Sequence, residues 1–252
     1  MVISYDGTSY VGWQAQPSGL SVQQVVEAAL RKVLRKECTL VGASRTDSGV
    51  HALGQVGHFT IEQELDPRRF LYGINALLPR DIRILEISAV DASFHAQYSA
   101  KSKLYYYHLF LEKEDDPFSR LYHTHFPYPL SLPLLEESIK VFVGTHDFSS
   151  FANAGSGAIT FERTILRFDL VQEKGGVRFE CKGSGFLYKM MRNMVGAAID
   201  VARGKLSLDG LKEIFAQKVR KKAPPPAPAR GLFLIKVNYP IPLSHTSSKE
   251  EK

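Results

Sequence analysis

The sequence is short of cysteine and of long apolar runs. Its two cysteines, Cys38 and Cys181, stand far apart in 252 residues and show no metal-ligand spacing, which leaves no disulfide framework or zinc ribbon to build. Such usage fits a reducing compartment, and a cytoplasmic protein is expected. No stretch approaches the roughly 18 to 20 apolar residues that cross a bilayer, and the chain opens on strand-like Val2-Ile3-Ser4-Tyr5 rather than on a basic segment and an apolar one. Neither a leader nor a membrane partner is expected. A Walker loop is also missing, and Gly183-Ser184-Gly185 lacks the third glycine and downstream acid of a dinucleotide site. Nucleotide hydrolysis and hydride transfer therefore drop out. There is no Gly-x-Ser-x-Gly elbow, and neither cysteine has an activating neighbourhood. His123-Thr124-His125 places two imidazoles on one strand face, but no metal set is completed around them and no metal is expected.

What is present is ordinary for a globular chain: 44% hydrophobic and 23% charged residues, enough for a large core without covalent staples. Lys and Arg number 32 against 26 Asp and Glu, for a net charge of +6. This balance is compatible with a polyanionic partner and does not by itself require one.

Residue patterns divide the chain into two similar orders. Val2–Tyr5 reads as a strand. Ser21-Val22-Gln23-Gln24 has the spacing of a capping box, and Val22, Val25, Val26, Ala29, Leu30 and Val33 then share a helical face. Strands are expected over 37–43, 55–61 and 82–90. Asp66-Pro67 opens a second helix that Pro79 stops. The order β-α-β-β-α-β is that of a ferredoxin-like unit. Downstream, a strand over 103–111, a helix over 131–143, a hairpin over 165–171 and 177–182, helices over 186–202 and 207–217, and a strand over 231–239 resemble the same order. The expected fold class is α+β: two ferredoxin-like halves with mainly antiparallel sheets around a central cleft, 1–93 and 94–242, followed by a disordered tail at 243–252. The run Lys218-Val219-Arg220-Lys221-Lys222 leads into Ala223-Pro224-Pro225-Pro226-Ala227-Pro228; it reads equally as a solvated helix end with a stiff connector and as a phosphate-contacting patch.

Three features could carry chemistry. Thr46-Asp47-Ser48-Gly49 is a tight connection between strands, with Asp47 at its tip and Arg45 two residues before it. Aspartate at a turn is common because its side chain bonds nearby backbone amides, so the segment alone does not make Asp47 functional. Arg192 stands in Phe186-Leu187-Tyr188-Lys189-Met190-Met191-Arg192-Asn193-Met194-Val195-Gly196. In so apolar a segment a guanidinium either seeks a carboxylate or takes the wet side of the helix. Tyr105 and Tyr107 share one face of a strand, where a tyrosine either packs in the core or stacks on a base.

These residues carry a resemblance. Tyr5-Asp6-Gly7 with Gly12-Trp13-Gln14, Arg45 to His51 with Gly54-Gln55-Val56, Phe94 to Ala100 leading to Tyr105, Asp147-Phe148 with Ser150-Phe151, Phe186 to Gly196, and Ala227-Pro228-Ala229 before Gly231-Leu232 together resemble the bacterial tRNA pseudouridine synthase A family. The resemblance implies the pseudouridine synthase fold and isomerisation of uridine at positions 38 to 40 of the tRNA anticodon arm, without cofactor or metal, by a homodimer with a basic cleft. It also implies that Asp47 is the catalytic aspartate, that Tyr105 stacks on the target uracil, that Arg192 pairs with the aspartate, and that Arg45 helps open the RNA. Leu187, in the Phe186 to Gly196 segment, is implied as a further substrate contact. Attack at C1′, addition at C6 and abstraction of a ribose proton all start from the same anion. A synthase for another RNA position and a non-catalytic tRNA-binding protein are the alternatives. Two departures stand out: Ser44 where the family usually has Gly, which narrows the turn's backbone options, and Ser184-Gly185 where it usually has Asn-Ala.

Overall fold

The computed structural model describes residues 1–62, 64–155 and 159–240; the tail expected at 243–252 lies outside them. Helix α1 (Val22–Leu34) follows strand β1 (Val2–Tyr5) and starts at the expected capping box: the Ser21 side chain accepts from Gln24 N–H, and the Gln24 side chain accepts from Ser21 N–H. The two reciprocal bonds satisfy amides that no helical carbonyl can reach. Strand β2 is only Val41–Gly42, shorter than expected. Leu40 N–H donates to Glu27 Oε1 and Leu40 C=O accepts from Gln23 Nε2, so α1 side chains take the backbone bonds that a strand partner would have made. Strand β3 runs His51–His58; it begins earlier than expected because the Asp47 turn closes by Val50.

Helix α2 (Pro67–Leu77) has Asp66 as its cap, accepting from Arg68 and Arg69 N–H, and Pro67 at its first turn. Strand β4 (Ile82–Glu86) stops well before Val90 because β1, its one partner among the described residues, begins at Val2, opposite Glu86. The second set comprises β5 (Ser102–Phe110), β6 (Thr124–His125), α3 (Leu132–Lys140), β7 (Gly144–Asp147), β8 (Glu162–Glu173), β9 (Gly176–Gly183), α4 (Met190–Ala202), α5 (Leu208–Gln217) and β10 (Leu232–Asn238). Short strand β6 falls on the His123-Thr124-His125 segment, while β7 has no signal in the sequence pattern.

Both sets order their strands alike, β4-β1-β3 with β2 beside β3, and β10-β5-β9-β8. They are joined in one mixed α+β sheet rather than forming two. Strand β10, the last among the described residues, lies parallel to β3 (Phe233↔His51, Leu234↔Ala52) and antiparallel to β5 (Leu234↔Tyr105). On β5 the residues Lys103, Tyr105, Tyr107 and Leu109 are buried, while Leu104, Tyr106, His108 and Phe110 are half-covered. One face of the seam is therefore packed, and the turn after β2 approaches it there. No helix among the described residues is long and apolar enough to cross a membrane.

Candidate active site

The turn that carries Asp47 is held from every side. Val50 N–H donates to Asp47 C=O at 3.1 Å and closes it. The segment from Tyr10 to Trp13 runs alongside: Ser48 Oγ donates to Tyr10 C=O at 3.2 Å and Trp13 N–H to Thr46 C=O at 3.1 Å. This approach depends on Gly12, which has φ of 108° and where a Cβ would lie 2.5 Å from Thr46 O; no other residue combines that dihedral with that contact. Beneath the turn the buried Tyr5 hydroxyl meets Thr46 Oγ1 at 2.8 Å. Fully buried Gln55 grips Ser44, its Nε2 donating to Ser44 C=O at 2.6 Å and its Oε1 accepting from Ser44 N–H at 3.3 Å.

With the turn so fixed by backbone and neighbours, the Asp47 carboxylate is not needed to make it. Among the described residues its hydrogen-bond partner is Arg192, whose Nη1 lies 2.6 Å from Asp47 Oδ2. Helix α4 begins at Met190 rather than at Phe186, because Lys189 takes a left-handed φ of 59° and keeps residues 186–189 out of the helix. Arg192 thus occupies the first turn of an almost wholly buried helix, and its guanidinium is used twice, with Nε donating to Ala227 C=O at 2.7 Å. The two side chains are 14% and 12% exposed, so the ion pair lies in the wall of the molecule and not on its wet surface.

Tyr105 completes the group. Its hydroxyl meets Ser44 Oγ at 2.8 Å, its ring packs edge-on against Phe186 with centroids 4.8 Å apart, and it is 4% exposed. Burial pushes its pKa up to about 12; the Ser44 hydrogen bond works against this and the nearby Asp47 charge adds to it. The phenol is therefore neutral at physiological pH. Two residues away on the same face, Lys103 is 8% exposed and donates to Ala43 C=O at 2.6 Å. Burial, with a smaller contribution from Arg163, lowers its pKa to about 8.

Of the five residues singled out from sequence, the fold brings three together: Asp47, Arg192 and Tyr105. Arg45 is exposed, and Leu187 is buried in the loop before α4. Neither makes a hydrogen bond or ion pair to those three among the described residues. His51, four residues after Asp47, stacks on Phe233 at 4.6 Å and accepts at Nδ1 from Gly7 N–H, so it serves the seam of the sheet. Ser44, Gln55 and Lys103 went unrecognised as parts of the site. Gln55 and Lys103 did leave a trace, as polar residues at the buried phase of apolar strands.

The sequence and the family model for tRNA pseudouridine synthase match over residues 1–99 and 139–240. The chain belongs to that family. It is 48% identical over 243 residues to tRNA pseudouridine synthase A 1 of Protochlamydia amoebophila (strain UWE25), with 95% of each chain covered. It is 44% identical to tRNA pseudouridine synthase A of Chlamydia muridarum (strain MoPn / Nigg), covering 99% of this chain and 97% of that one. The Acetivibrio thermocellus tRNA pseudouridine synthase A is 41% identical over 95% of this chain and 98% of its own length. As a family member the chain is an isomerase, and its Asp47, Arg192 and Tyr105 constellation stands where its two strand sets meet.

Proposed function

We propose that this chain converts uridine to pseudouridine at positions 38 to 40 of the tRNA anticodon arm, with Asp47 as the catalytic carboxylate. The observation that carries the reading is the 2.6 Å ion pair between Asp47 and Arg192 in a largely buried wall beside Tyr105. Uridine and pseudouridine have the same composition: the N1–C1′ bond breaks, the base turns, and C5 bonds to C1′, with a proton moving from C5 to N1. The exchange is redox-neutral and calls for no cofactor. It does call for an anion beside the sugar and a surface that keeps the detached base in place. Arg192 sets a guanidinium 2.6 Å from the Asp47 carboxylate and holds it in one orientation. Tyr105 offers a neutral ring as platform.

The target nucleotide leaves its stack before it reaches Asp47, at a cost of a few kcal/mol that pocket contacts offset. Exposed Arg45, two residues from Asp47, is assigned to holding the opened RNA, and Leu187 to an apolar contact with the base. The halves expected from the sequence are assigned to the two sides of an RNA-binding cleft, and the net charge of +6 suits phosphate contacts, which read RNA shape rather than base sequence. The protein is assigned to the cytoplasm and to a homodimer, which light scattering of the purified protein tests.

Asp47→Asn, checked for folding by circular dichroism, is expected to form no pseudouridine in an anticodon-arm RNA; unchanged turnover would falsify the assignment. Mapping pseudouridines in tRNA from cells that lack the protein tests the positions. Losses confined to sites outside 38 to 40 would move the substrate elsewhere.

A further inference from the structure

The basic run before the proline-rich connector divides into three in the structure. Lys218 pairs with Asp147 at 2.9 Å, Lys221 and Lys222 are exposed, and Arg220 turns inward. Arg220 Nε donates to Asn153 Oδ1 at 3.1 Å and Nη2 to Asn193 Oδ1 at 2.7 Å, while Nη1 donates to Ala223 C=O and to Pro224 C=O, both at 3.0 Å. All four acceptors are neutral, and among the described residues no carboxylate pairs with it. A planar fork with five donors suits such a junction and an ammonium does not. Asn193 is fully buried, directly follows Arg192 in α4, and passes the network on to Phe151 C=O and Asn153.

The connector that Arg220 grips at its start reaches the active site at its end. Ala227 N–H donates to Arg192 C=O at 2.9 Å, and Ala227 C=O accepts from Arg192 Nε at 2.7 Å. Between these anchors Pro225 lies against α4 at Gly196, where a Cβ would be 2.3 Å from Pro225 O, so the connector lies flush on the helix. Pro228 C=O accepts from the Tyr107 hydroxyl at 3.0 Å. With one guanidinium nitrogen on Ala227 and another on Asp47, the aim of Arg192 depends on where the Ala227 carbonyl sits.

We propose that Arg220 is a positioning residue: by locking residues 223–228 onto α4 it fixes the Ala227 carbonyl, and through it the direction in which Arg192 presents its charge to Asp47. The inference rests on the Asp47 and Arg192 reading given above. A loosened connector lets the guanidinium drift, and displacements of about 1 Å at a reacting centre cost as much as ~100-fold in rate.

The test uses the full chain with an anticodon-arm RNA and separates binding from chemistry. Arg220→Gln is expected to lower the single-turnover rate at saturating enzyme by at least about tenfold while RNA affinity stays within about threefold. Arg220→Lys, which keeps the charge but not the fork, falls between the two. In an Arg192→Lys background Arg220→Gln adds less than about twofold, since both changes act on one contact. Should Arg220→Gln not fold, Arg220→Lys and Asn153→Ala, which removes another member of the network, carry the same rate and affinity measurements. Weakened affinity at full rate would make Arg220 a phosphate contact, and multiplying losses in the double variant would separate it from Arg192; either result overturns the proposal. An Asp47→Asn enzyme that still turned over would instead strike the active-site reading, so the two failures are distinguishable.

Discussion

Breaking the contact between Asp47 and Arg192 tests the physical basis of the site without reference to catalysis. The pair is 2.6 Å apart with side chains 14% and 12% exposed. Leaving one member of a buried pair alone costs about 3–5 kcal/mol. Here each group keeps a sliver of solvent, and Arg192 retains its bond to Ala227, so Arg192→Met or Asp47→Ala should each cost about 2–3 kcal/mol. For a chain of this size that corresponds to a fall of roughly 4–12 °C in Tm. Urea unfolding of both single variants and the double variant at pH 7 gives the coupling between them, expected at about 1–3 kcal/mol. It should change little when salt is raised from about 0.1 to 1 M, because the intervening space is mostly protein. A coupling under about 0.5 kcal/mol, or one that vanishes in salt, is the signature of an exposed pair and would refute the argument that the fold keeps this charge in a dry wall.

Three further outcomes follow from the surroundings of the pair. Tyr105→Phe keeps the ring but leaves the Ser44 hydroxyl without its 2.8 Å partner; it should retain RNA affinity with a modest loss in single-turnover rate, whereas Tyr105→Leu should lose both, and parental rates in both variants would return Tyr105 to a packing role. Lys103, with a pKa lowered to about 8 in the folded chain against about 10.4 unfolded, binds fewer protons folded than unfolded between those values, so its burial penalty is full below pH 8 and is relieved as pH rises towards 10.5; the stability of the parent relative to Lys103→Met should therefore climb by ~2–3 kcal/mol over that window, and a flat difference in urea melts would contradict it. Gly12→Ala drives a Cβ to 2.5 Å from Thr46 O at a φ of 108° and should cost about 2–4 kcal/mol in urea melts, with loss of turnover because the Asp47 turn shifts; a neutral effect would show the turn to be softer than its contacts suggest.

Local chemistry made much of this legible in advance. The Ser21 box and the Asp66-Pro67 start each place a helix within a residue or two, because a cap acts on amides two or three residues away and needs nothing distant. Strand limits were less readable. Leu40 is apolar and strand-like, yet its backbone is claimed by Gln23 and Glu27 on α1, a fact of tertiary geometry. The one-sheet architecture was equally invisible: apolar alternation in β10 fits any sheet, and only the register beside β3 and β5 makes it a seam. For the site, the residue types and the family motifs pointed to Asp47, Tyr105 and Arg192. What the sequence did not hold was the support beneath them. Ser44 looked like a constraint on the turn and proves to bond the Tyr105 hydroxyl, and Arg220 looked like one cation among several.

Strand β10 has a consequence for how the molecule comes into being. Asp47 and Arg192 lie 145 residues apart in the chain, and the strand that knits their two regions together follows both of them in sequence. Until residues 232–238 emerge, the first strand set has no β10 to pair along β3, and the second has only short β6 on that side of β5. A nascent or truncated chain ending before them therefore carries Asp47, Tyr105 and Arg192 without the seam that aligns them. Closure of a contact so distant in sequence comes late and slowly, and the alignment of Asp47 with Arg192 waits for the strand that enters between β3 and β5.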